Sequence, residues 1–188
     1  IYGAREAANI ITYWFEARLS LSRMDQILRG EETFLFESYE SELEELRSRK
    51  PIQYIVGYTF FYGLKIGLNS ATLIPRPETE ELVREVVTLI DETQAKTVID
   101  LGTGSGCIAL TIKSLRPAVD VIGIDINPNC KQYEHENIEI FIGSQDDEEL
   151  LHSITTKYPN IDIVLDDGSH IMRHMKKSFE VLYTKVSD

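Results

Sequence analysis

Basic residues are scarce in this chain of 188: 19 Lys and Arg stand against 31 Asp and Glu, a formal net charge of −12 at pH 7. Broad binding to a phosphate backbone needs clustered cations that displace counterions, so direct nucleic-acid binding is not expected, although net charge alone leaves room for a local basic patch. No apolar run approaches the ~20 residues that cross a bilayer, and no basic-then-apolar leader opens the chain. A membrane role is therefore not expected, and the cytoplasm is the expected compartment. Cysteine is nearly absent. Cys107 and Cys130 form neither a metal spacing nor a disulfide framework, and Cys107 reads as a small buried residue. There is no Met at position 1, and the sequence stops at Asp188 soon after an apparent helix, so a chain lacking one or both ends is expected.

What is present is a hydrophobic content of 43%, enough for one full domain plus a small one. The organising stretch is Thr97-Val98-Ile99-Asp100-Leu101-Gly102-Thr103-Gly104-Ser105-Gly106-Cys107. An apolar run ends at an acid, bends on three glycines and restarts as a helix. Glycine permits the bend and the close approach of a ligand to the backbone, and a helix start presents unpaired N–H groups. A nucleoside cofactor suits that geometry. About 20 residues on, Asp125 closes the apolar run from Val119 and is placed to take both ribose hydroxyls. The G-x-G-x-G spacing departs from the G-x-G-x-x-G of dinucleotide sites, which disfavours a nicotinamide enzyme.

Ahead of this core, Ala7, Ile10, Ile11, Trp14 and Leu19 recur at helical spacing, and Ser20 or Ser22 can cap a following segment. Glu37, Glu40, Glu42, Glu44 and Glu45 give the next helix a solvated acidic face. The aromatic and branched stretch 51–66, broken by Gly57 and Gly63, reads as a β-hairpin between domains. In Leu73-Ile74-Pro75-Arg76-Pro77-Glu78-Thr79-Glu80 the prolines stiffen a loop and Thr79 is a candidate cap.

The acid and glycine run resembles motif I of the class I S-adenosylmethionine (AdoMet) methyltransferases. That resemblance implies cofactor contacts from Asp100, Gly102, Thr103, Gly104, Ser105, Gly106 and Asp125, with Gln145 and Asp146 meeting the adenine. More specifically, a helical lead followed by P-I-Q-Y-I-x-G, L-I-P-R-P-E-T-E and D-L-G-T-G-S-G is similar to the release-factor glutamine methyltransferase (HemK) family over about residues 1–125. The resemblance implies methylation of a glutamine side-chain amide in a peptide-chain release factor, a helical N-terminal domain that helps hold this partner, and Arg76, Glu78 and Thr79 at the mouth of the site.

That family places Asn-Pro-Pro-Tyr after the fourth strand, where this chain has Asp166-Asp167-Gly168-Ser169-His170. Residues 121–183 instead resemble the metal-dependent sugar O-methyltransferases. Asp166, Asp167 and His170 are therefore the candidate catalytic residues. This second resemblance implies Mg²⁺ held in part by Asp166, but no complete ligand set is legible, so no metal residues are assigned. The two resemblances meet near Asp125, which reads as a hybrid of two methyltransferases.

The expected architecture is α/β, a doubly wound class I methyltransferase fold that is incomplete at its C-terminal side. Its parts are a helical domain over 1–50, a hairpin linker over 51–75 and an AdoMet-binding domain over 76–188. Strands are expected near 97–101, 119–125, 138–142 and 161–165, with a short or absent helix in 127–137. A sheet lacking its later strands exposes apolar surface, so self-association is expected. Release-factor glutamine methylation is the leading expectation. The alternatives are metal-dependent methylation of a hydroxyl and AdoMet binding without turnover.

Overall fold

The computed structural model describes residues 1–30, 32 and 39–186, which pack as two compact units. One comprises Ile1–Tyr58 with Gly67–Ser70, the other Thr59–Ile66 with Ala71–Asp188.

The first unit is helical: α1 (Ala4–Leu19), α2 (Arg23–Leu28), α3 (Glu40–Arg47) and α4 (Ile52–Val56). Ser22 caps α2 in a reciprocal capping box with Asp25, while Ser20 ends α1 in the left-handed region. The acidic run is only partly a solvated face. Glu42 accepts hydrogen bonds from Arg18 and from the Trp14 indole, Glu44 pairs with Arg47, and Glu45 pairs with Lys50. Glu37 lies outside the described residues. The expected hairpin begins later than position 51. Pro51 starts a helical turn and Gly57, at φ +85°, ends it, so start and stop signals outweigh the β-propensity of Ile52, Tyr54, Ile55 and Val56.

Strands β1 (Tyr58–Phe61) and β2 (Leu64–Gly67) do form a hairpin, turned by Tyr62 and Gly63, both at positive φ as a type I′ turn requires. Glu80 anchors that turn by accepting from the Tyr62 N–H at 2.6 Å. Helix α5 (Pro77–Thr93) has Pro77 in its first turn and Arg76 as N-cap. Thr79 sits inside the helix, its N–H donating to the Arg76 carbonyl at 3.1 Å, so it is not the cap.

The second unit is built on an all-parallel sheet of β3 (Thr97–Leu101), β4 (Asp120–Asp125), β5 (Ile138–Ile142) and β6 (Ile163–Asp166), in the order β5-β4-β3-β6. Helices α6 (Cys107–Leu115), α7 (Glu148–Lys157) and α8 (Met172–Leu182) complete it. Side chains alternate across β3. Val98 faces one core with α5 and α6, while Ile99 and Leu101 face the other with Leu151 and Ile154 of α7 and Leu182 of α8. Both faces are covered, which is why the strands read as near-continuous apolar runs.

Between β4 and β5 runs only a 3₁₀ turn, Pro128–Tyr133, in keeping with the short crossover expected there. Asp147, rather than Gln145 or Asp146, caps α7. The last strand starts at Ile163, two residues later than expected, because Ile161 instead bridges to Val186. Going from β5 back across β3 to β6 reverses the direction of winding. The crevice at the carboxyl ends of β3 and β6 is therefore where such folds bind ligands.

Candidate functional site

At those strand ends lies a cavity of about 410 Å³, within the range of small-molecule sites. Gly102 and Gly104, then Asp125, then Gly143 to Gln145, then Asp167 to Ser169 supply successive parts of its wall, and Ala71 to Leu73 close one side.

Asp125 ends β4 and holds the loops beside it. One carboxylate oxygen accepts from the Gly104 N–H at 2.8 Å and the other from the Asn127 N–H at 2.8 Å. A carboxylate has about four lone-pair positions, so this one keeps acceptor capacity toward the cavity. Asn127, absent from the sequence expectations, joins two walls through its amide, which donates to the Ala71 carbonyl at 3.2 Å.

Beneath the glycine loop, Asp100 is fully buried. Its neighbour Thr103 donates to the Asp100 main-chain carbonyl at 3.0 Å, and both carboxyl oxygens lack a hydrogen-bond partner among the described residues. Burial, reinforced by Asp167 and Asp125, pushes this carboxyl up to about 7. Asp100 does not line the cavity, so its carboxyl lies under the glycine loop and is not open to a ligand there.

The three glycines have different reasons. A β-carbon on Gly102 would fall 2.4 Å from the Gly168 Cα, so that position serves a contact between loops. Gly106 makes room for the Tyr133 ring, while Gly104 has open space and lines the cavity. The Cys130 thiol donates to the Gly104 carbonyl at 3.1 Å, pinning the 3₁₀ turn to the loop. Cys107 is buried, as its composition suggested.

Of the expected cofactor residues, Gly102, Gly104, Asp125 and Gln145 reach the cavity wall. Thr103 and Ser105 are buried away from it, and Asp146 stands behind it against His174. The Gln145 amide is 6% exposed and largely committed. Its Nε2 donates to both Asp166 oxygens at 3.1 and 3.2 Å, and its Oε1 accepts from the Ser169 N–H. Of the expected catalytic residues only Asp167 lines the cavity. His170 is exposed and makes no hydrogen bond among the described residues. Arg76, Glu78 and Thr79 lie off the cavity wall, and Arg76 forms no ion pair with Glu78 among the described residues. Asp166 is occupied by Gln145 and by Ser178 at 3.3 Å. Among the described residues no three carboxylate, His or Cys groups come together as a metal cluster.

Comparison with known proteins finds relatives in sequence. A release factor glutamine methyltransferase from Streptococcus pneumoniae is 32% identical over 191 residues, covering 96% of this chain and 66% of that protein. The enzyme of the same name from Flavobacterium psychrophilum is 37% identical over 143 residues, covering 73% and 50%. The chain is a homologue of the release factor glutamine methyltransferases. It spans about half the length of the curated relatives it matches. The family model for ribosomal protein L11 methyltransferase (PrmA) matches residues 79–166.

Among solved structures, the MycE methyltransferase from the mycinamycin biosynthetic pathway, in complex with Mg and SAH, is similar with a TM-score of 0.51 and 28% identity. That match covers 63% of this chain and 32% of MycE. A putative caffeoyl-CoA O-methyltransferase from Staphylococcus aureus shares the fold at 15% identity and a TM-score of 0.50, over 85% and 65% of the two chains. The fold of this methyltransferase homologue is thus class I, as its glycine run indicated.

Proposed function

We propose that this chain binds AdoMet in the 410 Å³ cavity and belongs to a methyltransferase that acts on a glutamine side-chain amide of a peptide-chain release factor. The observation that carries the reading is Asp125 at the end of β4, lining the cavity and tied to the Gly104 amide beside it. The names of the relatives extend it to the acceptor, and the SAH bound in MycE supports the choice of cofactor.

The residues present on the cavity wall fit AdoMet: Asp125 for the ribose hydroxyls and the Gly104 loop for close backbone approach. When bound, AdoMet supplies an electrophilic methyl group, and the protein's task is to position the acceptor in line and exclude water. An amide nitrogen is a poor nucleophile because its lone pair is delocalised. Acceptors for the NH₂ hydrogens must localise that pair, and on this wall the Asp167 carboxylate and Ser169 hydroxyl, on the loop after β6, are two candidates. In the helical unit, an apolar groove of about 420 Å³ lined by Ile10, Trp14, Phe15 and Leu43 supports a role in holding the protein substrate.

A second reading takes a hydroxyl acceptor, favoured by the Asp166–His170 loop and by the likeness to MycE. One experiment separates the two. Incubation with AdoMet and a release factor should add one methyl to the glutamine amide by mass spectrometry. Methylation of hydroxyl acceptors alone favours the second reading, and no gain on either overturns both. We also carry forward self-association at the β6 edge of the sheet, where exposed Phe179 and Tyr183 stack at 4.8 Å. A monomer by light scattering at high concentration ends that idea.

A further inference from the structure

Ser169, His174 and Asp146 form a line of hydrogen bonds that starts at the cavity wall. His174 Nδ1 lies 3.0 Å from Ser169 Oγ, and its Nε2 lies 3.2 Å from Asp146 Oδ2. The His174 side chain is only 14% exposed. Ser144 Oγ donates to the other Asp146 oxygen, so the carboxylate is held from two sides. That hydroxyl, followed by His174, draws the Asp146 carboxyl below the usual carboxylate range.

Hydrogen-bond accounting orients the line. An ionised carboxylate accepts only, so Nε2 of neutral His174 carries the proton and Nδ1 is the acceptor. A hydroxyl has one proton and two lone pairs. The Ile171 N–H donates to Ser169 Oγ at 3.2 Å, and the Ser169 proton goes to Nδ1. One lone pair remains on an oxygen whose residue lines the cavity. Nucleophile or relay, base and orienting carboxylate are the three roles that proton-transfer sites combine. His170, the histidine favoured by the sequence, has none of these partners among the described residues.

We propose that Asp146, His174 and Ser169 are a proton relay that opens on the cavity at Ser169, with His174 as the base that finally holds the acceptor's proton. The proposal rests on the methyltransferase reading. As the acceptor nitrogen or oxygen bonds to the methyl carbon, the carbon–sulfur pair leaves with the sulfur. The acceptor's proton passes to Ser169 Oγ, and the Ser169 proton passes to His174 Nδ1. One positive charge is lost at sulfur and one appears on the imidazolium, where Asp146 offsets it. Other charged groups near the relay include Arg173 and Lys177 of α8, Glu148 of α7 paired to Lys177, Asp166 at the end of β6, and Asp167 of the loop that carries Ser169. Ser169 and His174 serve as relay and base, and Asp146 is a positioning residue.

Nitrogen-resolved NMR of the full chain reads the orientation without any turnover. His174 is expected as the Nε2–H tautomer, with its Nδ1 resonance shifted in Ser169→Ala and restored in Ser169→Thr. An Nδ1–H tautomer, with the ring donating to Ser169, overturns the proposal. With AdoMet and a release factor, His174→Gln should lower kcat by about 100-fold at unchanged KM for AdoMet and abolish the acid limb of the pH profile, while Asp146→Asn moves that limb to lower pH. A variant that keeps the wild-type acid limb also overturns it. Calorimetry with S-adenosylhomocysteine separates the two claims: no binding sinks the methyltransferase reading, while the tautomer still decides the relay.

Discussion

Gly102 and Gly168 meet backbone to backbone, so closely that a β-carbon on the first would lie 2.4 Å from the Cα of the second and 2.8 Å from the Asp167 carbonyl oxygen. The glycine loop after β3 and the loop after β6 are thereby one piece at the point where the winding reverses. Substitution should reveal it. Gly102→Ala, which also strains a φ of +87°, is expected to cost about 3 kcal/mol by urea denaturation. Gly104→Ala, at φ +55° with its nearest neighbour at 3.5 Å, should cost about 1 kcal/mol. Equal losses would contradict the contact.

Asp100 predicts a pH dependence. Its folded-state carboxyl is raised to about 7, so the folded chain binds a proton that the unfolded chain has already released above the ordinary carboxylate range. Stability of the ligand-free protein therefore falls as pH rises from about 4 to about 7, with a slope of up to about 1.4 kcal/mol per pH unit, and levels beyond. Asp100→Asn should remove this slope in urea titrations across the same window. A slope that survives the substitution would mean another group is responsible.

Asp125→Ala removes a carboxylate that holds two backbone N–H groups and faces the cavity. Hydrogen bonds to a charged group are worth about 1.5–3 kcal/mol, so affinity for S-adenosylhomocysteine should fall by roughly 10- to 100-fold in calorimetry. Undiminished binding would place the cofactor elsewhere.

Gln145 joins β5 to the β6 loop rather than pointing its amide freely at a ligand. Gln145→Ala should destabilise the protein by about 2 kcal/mol through the unpaired Asp166 and Ser169 groups. Amide hydrogen exchange should quicken at Ser169 in particular. Exchange unchanged there would show that the loop is held by other means.

Much of this was legible from local pattern. The apolar runs that became β3, β4 and β5, the glycine turn and the acid at Asp125 sit where the sequence placed them, because a strand buried on both faces and a turn needing positive φ leave few residue types to choose from. The segment 52–56 was misread as strand because its residue types favour β-structure, while Pro51 and Gly57 set helix limits over too few residues to show a period.

The amino-acid order alone determined the fold class and where the strands β3, β4 and β5 lie, since both rest on residues close together in the chain. Which side chains share the cavity was decided only by tertiary structure. Ser169, His174 and Asp146 are brought together by the return from β5 to β6, and Gly102 is claimed by Gly168 from 66 positions away. Sequence spacing carries no record of such meetings, because the sheet order that creates them is set by how both faces of the sheet are buried.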